Sequence, residues 1–149
     1  MTDSKFGVEN WIDLLVDMVR TIDKKLYVPY LYKDHGFPSA ITKVPCALVF
    51  PEEVAMDYPD GGPDFDTWQG IIEFHLFLDV SKSHMPDITR YYTLIRTAFK
   101  ANKHLNDHVH IRLRYEGGAS IEVAELRYGG SDEPHLGLVA HWIARERDS

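Results

Sequence analysis

The residue types that could do chemistry are few, and their spacing seldom suits a reaction. Cys46 could act as a thiolate nucleophile with one of the eight histidines as its base. It sits, however, in the apolar run 44–50, with no basic neighbour or helix N-terminus to lower its pKa, and so reads as a buried core thiol. His104, His108 and His110 are close enough in sequence to clasp a transition metal, but no cysteine or carboxylate completes a known ligand spacing. His108 and His110 share a strand face, and His104 ends a helix, where a cation is favoured in any case. No metal and no cofactor are expected, and no catalytic constellation emerges.

The charged residues are more suggestive. From Glu52 to Asp66 there are six carboxylates, Glu52, Glu53, Asp57, Asp60, Asp64 and Asp66, and no Lys or Arg. A calcium loop beginning at Asp57 fails, because Pro59 and Gly61 fall where oxygen ligands belong and Trp68 where a bidentate Glu belongs. Two readings remain: a solvated, self-repelling hairpin tip, or a tip that meets a basic surface on a neighbouring subunit and steers its approach. Arg112 and Arg114, with His110, form a basic stripe on the face opposite Val109, Ile111 and Leu113. It is either the complement of the acidic tip or a solvated sheet face with cross-strand pairs.

The elements that must position these groups follow from periodicity. Trp11, Leu15, Met18 and Ile22, flanked by Ile12, Val19 and Leu26, recur at helical steps and predict a first helix over residues 8–26. The aromatic connection 27–42 is too apolar for a solvated linker. Val44, Cys46, Leu48 and Phe50 alternate as a strand, resuming after Pro51 through Val54 and Met56. A second strand runs over 68–80, with Ile72, Phe74, Leu76, Leu78 and Val80 on one face. The two strands form a long hairpin whose irregular tip holds residues 57–67. A second helix over 86–104 carries the stripe Ile88, Tyr91, Tyr92, Ile95 and Phe99.

Strands over 109–116, 121–128 and 136–145 complete the chain. A three-residue turn Gly117-Gly118-Ala119 places Leu113 opposite Val123, Tyr115 opposite Ile121 and Arg114 opposite Glu122. A bulge near Ala124-Glu125 then sets Ile111 opposite Leu126. Leu138, Ala140 and Trp142 share one face of the last strand, and Val139, His141 and Ile143 the other. Two apolar faces make this strand either central in the sheet or covered by something else, such as another subunit. Trp142 is accordingly a candidate contact, with core packing as its alternative.

The 149 residues fit a single domain, 1–149, of α+β class. The expected fold is a mixed or antiparallel β-sheet packed on two α-helices, in the order α-β-β-α-β-β-β, with a long β-hairpin. A net charge of −7 argues against a protein that coats polyphosphate. One cysteine excludes an internal disulfide, no signal peptide is evident, and no apolar run could cross a bilayer, so a soluble protein made inside the cell is expected, with no membrane partner.

This order and spacing of elements, covering nearly the whole chain, resembles the tail terminator (tail completion) proteins of long-tailed bacteriophages. The resemblance implies a structural virion protein and not an enzyme. It would form a hexameric ring on the head-proximal end of the tail tube, assembled in the host cytoplasm. There it would stop tube polymerisation and provide the joint to the head and neck. Its implied partners are itself, the tail tube protein and a head-neck connector protein, with DNA passing through the lumen without specific binding. The rivals are another head-tail connector or neck component and, more distantly, a small α+β enzyme or ligand-binding domain using His75, His141 or the acidic loop.

Overall fold

The computed structural model describes residues 8–31, 37–57, 65–114, 118–128 and 133–147. Two helices, α1 (Val8–Arg20) and α2 (Met85–Ala101), accompany six strands: β1 (Cys46–Asp57), β2 (Phe65–Phe77), β3 (His104–Asn106), β4 (Val109–Leu113), β5 (Ile121–Leu126) and β6 (His135–Arg147). The class is α+β, with one antiparallel six-stranded sheet.

Helix α1 buries Trp11, Ile12, Leu15, Val16 and Val19 completely. Each such side chain contributes roughly 1.5–3 kcal/mol relative to exposure. The helix stops six residues earlier than its stripe predicts, although Ile22 and Leu26 remain buried. The reason is tertiary. The Arg20 guanidinium donates to the Val28 carbonyl at 2.6 and 3.1 Å, and the Thr21 hydroxyl and amide both donate to the Met18 carbonyl, so the last turn tightens and the chain folds back. The Tyr91 hydroxyl of α2 donates to Asp23 in this turn. That bond holds the Asp23 carboxyl below its usual range, while burial and the carboxylate push the Tyr91 phenol up.

Strand β6 is central. β2 flanks it along nearly its whole length, while β4 and β5 share its other side, and the sheet order is β1-β2-β6-β4-β3 with β5 beside β6. This corrects the expected turn around Gly118. Leu113 faces Trp142 and Ile121 faces Ala140, so β4 and β5 run in the same direction and form one interrupted strand, not a hairpin. Only His141 lies between the two ladders. Its carbonyl accepts from the Arg114 amide at 2.7 Å and its amide donates to the Ser120 carbonyl at 2.8 Å. The chain therefore leaves the ladder at Arg114 and rejoins it at Ser120, whose hydroxyl closes the loop on the Arg114 carbonyl. Gly118 takes φ +140°, which suits a residue without Cβ.

The expected pairs Leu113–Val123, Arg114–Glu122 and Ile111–Leu126 do not form. Val123 faces Leu138, Ile111 faces Ala144, and Glu122 meets the His141 ring at 3.0 Å. The Tyr115–Ile121 pairing involves a residue outside those described. No bulge interrupts β5, whose register on β6 is continuous from Ile121 to Leu126. Parity could not separate the two topologies. Leu113 and Ile121 are both odd-numbered and fall on the same face whether the chain reverses or continues.

The helix-facing side of the sheet carries Ala47, Val49, Ile72, Phe74, Leu138, Ala140 and Trp142, in one core cluster with α1 and α2. Trp11 packs edge-on to Trp68 at 5.8 Å and to Trp142 at 5.4 Å. The other face buries Cys46, Leu48 and His75, beside contacts of Phe37 with Phe50 and of the Tyr128 hydroxyl with the Pro38 carbonyl. β2 ends at Phe77, leaving Leu78 and Val80 exposed beyond it, and His104, expected to end α2, lies in β3.

Candidate functional site

Three constellations are candidates: the buried histidines, the acidic hairpin, and a basic groove at the opposite side of the sheet.

Cys46 and His75 are direct partners across the β1–β2 ladder. That juxtaposition would suit a thiol and its base, but both imidazole nitrogens are already engaged. Nδ1 lies 3.0 Å from Nδ1 of His135, and Nε2 lies 3.0 Å from a Glu73 carboxylate oxygen. The carboxylate can only accept, so Nε2 of His75 carries a proton. With His75 neutral, its Nδ1 accepts and His135 donates. Burial pushes the Cys46 thiol up to about 11, the direction that suppresses nucleophilicity. The cluster is built to tie β2 to β6, not to activate sulfur.

The same cluster predicts an acid-sensitive fold. Burial first, and then the neighbouring His75, hold the His135 pKa below its ordinary 6.5. Cys46, opposite His75 on β1, together with Tyr128 and Glu73 are the other titratable groups facing the pair. Below the unfolded-state pKa the unfolded chain binds more protons than the fold, so the stability from neutral His135 is complete above about pH 6.5 and is lost as pH falls. Thermal midpoints measured from pH 7.5 to pH 5 should decline, and His135→Asn should flatten that decline. An unchanged slope in the variant would remove His135 as its source. His110, depressed mainly by burial, contributes in the same direction and is the control position.

The acidic residues divide. Glu52 and Glu53 are exposed on β1, beside a register shift at 51–53, and Asp66 is half-buried on β2 opposite Glu146 of β6. The backbone of Asp57 pairs with that of Phe65 at the end of the hairpin, and Asp60 and Asp64 lie outside the described residues. The outer edge of β1 has, among the described residues, only the Tyr27–Cys46 bridge as a strand contact.

The basic stripe is regrouped. Arg112 is exposed on β4, but Arg114 has left the strand and donates to the Ala119 carbonyl at 3.0 Å, inside the loop. Trp142, a candidate contact in the sequence, is 1 % exposed and donates its indole N–H to the Ile71 carbonyl at 3.2 Å, so it belongs to the core and presents nothing to a neighbour. In place of the expected stripe, a cavity of about 790 Å³ lies between α2, the end of β4 and the start of β5. Helix α2 and the residues after it supply Tyr92, Arg96, Lys100 and Lys103. The strands supply His110, Arg112 and, across from His110, Arg145. Its apolar lining is Phe99, Ile111, Leu113 and Ile121 on the helix-facing side and Ile143 on the other face of the sheet, and no carboxylate lines it among the described residues.

Tyr92, Arg96 and Lys100 recur every four residues and so share one helix face, a spacing legible in the sequence. Their approach to Arg112 and Arg145 was not, since it depends on where α2 meets β4. The Ile111 amide donates to the Lys103 carbonyl at one end of the groove. Beyond it, neither Leu113 nor any residue of β5 has a strand on its outer side among the described residues. An arrangement of five permanent cations beside an open strand edge can hold an extended anionic segment by charge and by backbone hydrogen bonds. His104 and His110 stack edge-on at 4.1 Å, yet no group of three or more His, Cys, Asp or Glu side chains among the described residues could hold a metal ion. No described helix is long and apolar enough to cross a membrane. No family model matches the chain, and neither does any curated protein.

Proposed function

We propose that this protein is a ring-forming structural component of a phage tail, the tail terminator. It caps the head-proximal end of the tail tube, stops polymerisation of the tube protein and offers its opposite surface to the connector of the neck. The observation that carries this reading is the presence of two unlike, complementary open edges on one subunit. Among the described residues, β1 ends the sheet on one side and exposes Glu52 and Glu53, and on the other side Leu113 and β5 lack an outer strand beside the basic groove, while β3 covers the start of β4. A closed ring needs such a heterologous pair, because each subunit must present one patch to the copy ahead and a different one to the copy behind. The long β1–β2 hairpin supplies reach, and the sheet packed on two helices supplies a rigid body between the patches. With a net charge of −7, the protein as a whole repels DNA passing through a lumen.

Solution mass by light scattering over a concentration series, with electron microscopy of the largest species, tests the ring. Six copies of the 17.2 kDa chain give about 103 kDa, and a closed ring of that mass that shortens tubes grown from tail tube protein is the expected result. Binding to the portal connector with no effect on tube length would assign the protein to the neck instead. A monomer at every concentration, with or without tube protein, would reject the reading.

A further inference from the structure

We infer that the α2–β4 groove is the seat of the acidic β1–β2 hairpin of a second copy of this chain. The inference rests on the ring reading and names the contact that would build the ring.

The groove's chemistry selects its occupant. Arg96, Lys100 and Lys103 on the helix side and Arg112 and Arg145 on the other face of the sheet line it around the edge at Ile111 and Leu113, with no carboxylate among the described lining residues. A small anion would engage one or two of these cations and leave the apolar lining wet. An extended segment with several carboxylates interleaved with apolar side chains would meet both. Residues 50–54 of β1, Phe-Pro-Glu-Glu-Val, set two carboxylates between apolar residues, and the sequence from Glu52 to Asp66 carries six carboxylates without a Lys or Arg. Glu52, Glu53 and Val54 are exposed. Among the described residues, β1 beyond its bridge at Cys46, and Leu113 with β5, have no strand on their outer sides, so backbone hydrogen bonds can add to the charge contacts.

The occupant must come from another molecule. β1 and β4 stand on opposite sides of β2 and β6, which places them three strand spacings apart, about 14 Å. Glu52 and Glu53 of β1 therefore cannot enter the groove of their own subunit. Each copy gives its hairpin to one neighbour and receives the hairpin of the other, which is the head-to-tail rule that closes a ring.

Paired charge reversals test this contact in the full chain. The groove variant is Arg96→Glu/Lys100→Glu and the hairpin variant is Glu52→Lys/Glu53→Lys. All four positions are exposed, so both variants should melt as the wild type does. Each reversal alone should raise the concentration needed for half-assembly by roughly tenfold or more. The decisive samples are the chain carrying all four substitutions and the equimolar mixture of the two variants. Both restore opposite charges at the contact and should regain assembly in analytical ultracentrifugation.

Wild-type rings that the reversals leave unchanged would overturn the seat and spare the ring. Loss of assembly in the single variants without recovery in the four-fold chain or in the mixture would also overturn it. A wild type that never associates would overturn both. A labelled DNA duplex serves as the competing probe. Duplex binding lost in the groove variant while assembly persists would assign the groove to phosphates and reject the hairpin.

Discussion

Phe74→Asp should leave no cooperatively folded protein. Phe74 is fully buried on β2, between Ala47 of β1 and Leu138 of β6 in the lateral register. Loss of a buried phenyl ring alone costs about 3–5 kcal/mol through lost transfer energy and the cavity left behind. An unpaired carboxylate in its place adds an effective desolvation penalty of several kcal/mol. The sum is comparable to the whole stability of a domain this size, about 5–15 kcal/mol. Circular dichroism with urea unfolding reads the outcome, and a wild-type transition in the Asp variant would show that Phe74 does not face the core. Leu113→Asp is the informative contrast. Leu113 is only half-buried and opens onto the basic groove, where a new carboxylate gains water and cations, so that variant should fold with reduced stability.

The second large effect is expected from the smallest change, Gly70→Ala. A Cβ built on Gly70 would stand 2.0 Å from the Phe50 carbonyl oxygen and 2.3 Å from Cζ2 of Trp142. Neither neighbour can yield readily. The carbonyl belongs to the β1 backbone, in the ladder just before the register shift at 51–53, and the indole is held edge-on by Trp11 and by its bond to the Ile71 carbonyl. Gly70 thus leaves the space that lets Trp142 lie flat against its cross-strand partner, a device that sheets use to accommodate a large ring. Overpacking of this kind typically costs about 1–3 kcal/mol, and a clash on two sides places this variant at or above the upper end. A double-mutant cycle with Trp142→Phe separates the contributions, since the smaller ring should relieve the clash with the indole and leave the one with the carbonyl. A Gly70→Ala variant as stable as wild type would show that the strand shifts freely there, contrary to the tight register of β1, β2 and β6.

Much of the architecture was legible in the chain because local periodicity reports which face of an element is buried. The stripes of α1 and α2, the alternation of β1, β2 and β6, and the acidic character of the hairpin all follow from side chains within a few residues of one another. The two apolar faces of β6 announced either a central strand or a covered one, and the structure makes it central. Where prediction and structure part, a distant partner decides. Arg20 ends α1 early by reaching Val28, and the Gly118 segment that reads as a hairpin turn is a loop spliced into one continuous edge.

The candidate site shows the same division. The sequence by itself determined that the protein carries an acidic hairpin and scattered cations, and that Cys46 lies in an apolar strand. Only the tertiary structure gathered Arg96 and Lys100 of α2, Lys103 after it, Arg112 of β4 and Arg145 of β6 around one groove, and turned Trp142 inward against Trp11. The physical reason is that periodicity fixes the direction of a side chain relative to its own backbone. Which element it then meets is set by strand order and helix docking, and these are decided by burial summed over the whole core.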